Sequence, residues 1–124
     1  METAFGKRLD RVRQASPLVH CISNLVTAND CANVVLAAGA SPIMADAPEE
    51  VREITALSRA LCLSLGTPNP RKADAMFLAG RKAAELGLPV VPGCITPTEI
   101  EAGLALGLTT FKFFPSEPMN GMAT

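Results

Sequence analysis

Residues 17–46 read PLVHCISNLVTANDCANVVLAAGASPIMAD, and two kinds of order alternate within them. Residues 17–23 are an apolar run of strand length. Residues 25–38 place apolar side chains at helical spacing and stop at Gly39, a residue suited to closing a helix. Residues 41–45 are a second short apolar run. A strand, a helix and a strand in such close order form one βαβ unit, and that connection joins parallel strands.

The same rhythm continues in both directions. Upstream, residues 2–14 read as a helix with Phe5, Leu9 and Val12 on one stripe. Downstream, Asp46 is the expected N-cap of a helix running to about Ala60, with Pro48, Glu49 and Glu50 in its first turn, where negative charge complements the helix dipole. LCLSLG (61–66) is a third strand, with TPNP as the loop beyond it. Residues 71–86 form a helix stopped by Gly87, and LPVVPG (88–93) is a fourth strand. TPTE (96–99) is a capping box with proline at the first helical position. Its helix ends at Gly107, and TTFKFF (109–114) is the fifth strand. The expected fold is one α/β domain over residues 1–124. It would be a three-layer α/β/α sandwich whose mostly parallel sheet has about five strands, with right-handed connections.

Composition narrows the function. The 124 residues are 48% hydrophobic, mostly Ala, Leu and Val, with five Phe and no Trp or Tyr, which suits helices packed on a sheet. Net charge is −1 and no Lys/Arg cluster stands out, so nucleic acid is not an expected partner. The apolar runs are too short for a membrane span. The N-terminal stretch lacks the apolar core of a secretory signal. Cys21, Cys31, Cys62 and Cys94 lie 10, 31 and 32 residues apart and match no metal or redox pair. Reduced thiols in a cytoplasmic protein are expected.

Ligands of open parallel sheets bind beyond the C-terminal strand ends. That rule selects Asn24, residues 44–46, 66–69 and 92–96, and Pro115 onward. Asn24, Asn29 and Asn33 begin a helix, as caps or as amides for a polar heterocycle or a neighbouring subunit. His20 is the only histidine and lies beside Cys21, but neighbours on a strand face opposite ways, so a structural role is expected. Glu99 belongs to the capping box. No phosphate-binding glycine motif is present. Lys112 is the anomaly: an amine desolvated among phenylalanines can attack a carbonyl and form a Schiff base, whereas on an edge strand it is a solvated guard.

Two families are similar to parts of this chain. Residues 16–91, through SPLVHCISNLVTANDCANVVLAAGASPIMADAPEEV and LSLGTPNPRKADAMFLAGRKAAELGLPVV, resemble hydroxyethylthiazole kinase, of the ribokinase-like superfamily. That resemblance implies ATP- and Mg2+-dependent phosphorylation of the thiazole alcohol of thiamine salvage, in a homotrimer with the pocket between subunits. It places Asn24 and Met44 on the thiazole side. Residues 92–124 resemble 2-keto-3-deoxy-6-phosphogluconate aldolase, a class I lyase. There the PG…T-x-x-E segment opens a helix and the lysine of KFFP, here Lys112, forms the Schiff base with pyruvate. The family ATP site and the aldolase general base have no counterpart among these residues. The expectation is therefore thiazole binding at most, with no cofactor retained. Schiff-base chemistry on a 2-keto acid and an inactive chimera joined within LPVVPG are the alternatives.

Overall fold

The computed structural model describes residues 3–66 and 69–113. They fall into two compact units, Met1–Leu88 and Pro89–Thr124. The first unit runs α1 (Ala4–Ala15), β1 (Leu18–Ile22), α2 (Ala28–Ala37), β2 (Ser41–Ile43), α3 (Val51–Leu57), β3 (Ala60–Leu63) and α4 (Pro70–Glu85). Its sheet has the order β2-β1-β3, with both pairings parallel.

Alternation along β1 divides the layers. His20 and Ile22 point to the side covered by α3 and α4. There Ile22, Val51, Ala75, Met76 and Ala79 form the core, with Leu61 and Leu78 packed against it. Cys21 points the other way, toward α2. The expected α/β/α layering is present in this unit. The α2 layer is thin, for α2 itself contains no buried residue.

The helix stops follow from local chemistry. Gly39 has φ +92 after α2, its N–H donates to the Leu36 carbonyl, and the Ala40 N–H donates to the Val35 carbonyl. This paired closure needs the left-handed backbone that glycine adopts without strain. Gly87 and Gly107 close α4 and α5 through the same pair of bonds.

The second unit is a single β-α-β: β4 (Gly93–Cys94), α5 (Pro97–Ala105) and β5 (Lys112–Phe113), with β4 and β5 parallel. The capping box over 96–99 is present as expected. The Thr96 hydroxyl accepts from the Glu99 N–H at 3.3 Å, and Glu99 Oε2 accepts from the Ile95 and Thr96 N–H groups at 2.7 and 2.9 Å. Gly103 leaves room on α5 for the ring of Phe111.

Three expectations change. Among the described residues the five strands lie in a three-stranded and a two-stranded sheet rather than in one. The fourth strand covers 93–94 instead of 88–93, because the Leu88 N–H closes α4 and Pro89 and Pro92 have no N–H to give a ladder. Asp46 does not cap α3. That helix starts at Val51, after a turn in which the Glu50 and Val51 N–H groups donate to the Ala47 carbonyl. The start of the first helix at Glu2, the centre of the TPNP loop, Phe114 and the stretch from Pro115 lie outside the described residues. No described helix is long and apolar enough to cross a membrane.

Candidate ligand rim at the strand ends

The C-terminal ends of β1, β2 and β3 meet the N-terminus of α4 at one edge of the first unit. Lys72 joins them. It sits in the first turn of α4, where a positive charge opposes the helix dipole, yet it is 8% exposed. Its Nζ donates to the Ser23 carbonyl at 2.7 Å and pairs with Asp46 at 3.1 Å. The α4 terminus is fixed in turn by the Asn69 side chain, which accepts from the Lys72 N–H at 2.9 Å.

His20 holds the next residue. It is fully buried, and its Nε2 lies 2.7 Å from the Ala45 carbonyl, which can only accept, so Nε2 carries hydrogen. Nδ1 shares a hydrogen bond of 2.9 Å with the Thr55 hydroxyl, which is also 2.7 Å from the Val51 carbonyl. Residues 45 and 46 are thus clamped from two directions, and Met44, 39% exposed, extends from a fixed backbone. The structural role expected for His20 holds, and it includes shaping this rim.

Asn24 tightens the β1 end. Its Oδ1 accepts from the Thr27 N–H at 2.8 Å and the Thr27 hydroxyl at 2.9 Å, folding 24–27 into a turn before α2. The expected capping function is therefore exercised one turn early, and Thr27 is the formal N-cap. Asn24 Nδ2 packs over Gly66, where an added Cβ would lie only 2.5 Å away. Beside it, Leu25 and Val26 are 89% and 87% exposed. Asn29 and Asn33 lie exposed on α2.

Lys112 belongs to the second unit. It is exposed, and its backbone N–H donates to the Pro92 carbonyl at 2.9 Å. Of the enclosed and the solvated alternatives for Lys112, this exposure matches the solvated one, and the described strand is only two residues long.

Sequence reasoning missed Lys72. The available signal was a lysine in the first turn of a helix that follows a strand end, where the dipole disfavours it. Sequence reasoning also missed a cluster of thiols. Cys21 and Cys62 are register partners on adjacent strands, and Cys31 approaches from α2. Burial first, then Cys62 and Cys31, push the Cys21 thiol up to about 11. Among the described residues no three His, Cys, Asp or Glu side chains converge as a metal site. Lys72 is committed to Asp46 and Ser23.

A parallel sheet flanked by helices, with an amide, a thioether and a clamped lysine at its strand ends, is a ribokinase-like α/β arrangement. The Hydroxyethylthiazole kinase family model matches residues 9–108. The chain belongs to that family. The match runs beyond 91, through the capping box and α5, and so covers part of the segment that the sequence likened to an aldolase. The chain is 57% identical over 89 residues to hydroxyethylthiazole kinase of Desulfovibrio desulfuricans, covering 72% of this chain and 31% of that protein. It is 46% identical over 102 residues to that of Natranaerobius thermophilus, covering 82% of this chain and 37% of that protein. The solved structure of hydroxyethylthiazole kinase from Pyrococcus horikoshii OT3 superposes with TM-score 0.68 at 37% identity, covering 85% of this chain and 44% of the other. The chain thus spans about a third of the length of these curated relatives.

Proposed function

We propose that these residues form the thiazole-alcohol-binding part of a hydroxyethylthiazole kinase and do not themselves transfer phosphate. The observation that supports this is the double clamp: His20 on the Ala45 carbonyl and Lys72 on Asp46 fix the chain just after Met44, at the strand-end rim that also carries Asn24. The Asn24 amide has donors suited to a ring nitrogen or an alcohol oxygen, and the Met44 thioether is a polarizable surface for a sulfur heterocycle. The exposed Leu25 and Val26 beside Asn24 favour a pocket completed by a second copy, in keeping with the homotrimer that the family resemblance implies.

Thermal melting with the thiazole alcohol tests this, because a ligand of the native state raises the midpoint, and a tighter one raises it further at equal concentration. The midpoint should rise for the natural sequence and rise far less for Asn24→Ala or Met44→Ala. An equal rise in all three would remove the rim from the account.

The aldolase-like alternative is Schiff-base formation at Lys112, supported by the KFFP motif. Pyruvate with borohydride should then add one adduct at Lys112. Equal labelling of Lys82 would reject it.

A further inference from the structure

We propose that Cys21 and Cys62 are an oxidisable cross-strand dithiol, in which exposed Cys62 is modified by a small-molecule disulfide of the glutathione class and buried Cys21 resolves it. Cys21 and Cys62 face each other in the parallel register of β1 and β3 and project from the same sheet face. Adjacent strands lie about 4.8 Å apart, inside the roughly 4.4–6.8 Å Cα separation that a disulfide spans. The two thiols differ in access: Cys21 is 2% exposed, whereas Cys62 is exposed on the sheet's edge strand β3. An incoming disulfide therefore meets Cys62 first.

The steps balance. The Cys62 thiolate attacks one sulfur of the small disulfide. That S–S bond breaks, a mixed disulfide forms on Cys62, and one thiolate leaves and takes a proton from solvent. Cys21 then loses its proton and attacks the Cys62 sulfur, and the second small thiol leaves. Two protein thiols are oxidised and one small disulfide is reduced to two thiols. Burial keeps Cys21 protonated to about pH 11, so the second step is the slow one and accelerates with alkali. Cys21 lies three residues before Asn24 and Cys62 four before Gly66, so the link would staple the strands whose ends carry the rim.

The test is oxidised glutathione added to the native chain, followed by digestion without reduction and fragmentation mass spectrometry. The expected product lacks two hydrogens and joins Cys62 to Cys21. Cys31→Ser keeps the link. Cys21→Ala instead accumulates glutathione on Cys62. Stable glutathione on Cys62 in the natural sequence, a link from Cys62 to Cys31, or equal modification of all four cysteines would overturn the proposal. Fragmentation between Cys21 and Cys31 decides the matter in the natural sequence even where a variant fails to fold.

Discussion

Lys72 carries its charge into a place where lysine is costly, and two bonds explain why it stays. Asp46 is half exposed, with 54% of its side chain in contact with solvent, so that ion pair contributes under about 1 kcal/mol. The Ser23 carbonyl is the stronger reason, because Ser23 is buried and an unsatisfied acceptor there costs about 2 kcal/mol. Lys72→Met should therefore lower the melting midpoint by several degrees, while Asp46→Ala should barely move it. The reverse order would place the stabilisation in the ion pair. Cys21 makes a pH prediction. Its thiol ionises near 9.0 in the open chain and near 11 when folded, so the unfolded chain loses its proton first. Its contribution to stability is full below pH 9 and fades toward pH 11, and Cys21→Ala should flatten that limb of a denaturation series. Neither residue was fully legible in the sequence. A buried lysine and a thiol pair are made by strand order and register, which join residues far apart in the chain.

At the scale of elements, legibility followed whether the deciding chemistry was local. The stops at Gly39, Gly87 and Gly107 and the capping box over 96–99 were all readable, because each is settled within a few residues. The start of α3 was not. Asp, Pro and two Glu are a plausible helix start, but Asp46 is drawn to Lys72 and Glu49 to Arg71, at 3.1 and 2.6 Å. The fourth strand was misplaced because its apolar side chains hid two prolines without N–H groups. The capping box itself titrates. N–H groups of Ile95 first, then Thr96, hold the Glu99 carboxyl below its ordinary value. That stabilisation is present above the carboxylate range and is lost as pH falls through the lowered value. Helix content of α5 should therefore decline on acidification by circular dichroism, and Glu99→Gln should lose that acid-dependent step.

For the molecule as a whole, the βαβ rhythm was enough to give an α/β class with helices on both faces of a parallel sheet. The division into three-stranded and two-stranded sheets was not readable, because periodicity reports strands and says nothing of which strands pair. Family membership was legible from dense local identity, although the likeness reaches further along the chain than the residues around LPVVPG suggested. The rim residues Asn24 and Met44 came from the strand-end rule and the resemblance together, and the clamps that fix them came only from the fold. The central claim is that this rim binds the thiazole alcohol. Titration calorimetry of the natural chain with that alcohol tests it most directly. The account predicts saturable heat at one ligand per chain, carried by an oligomer. An absence of heat, together with a monomer by light scattering, would contradict it.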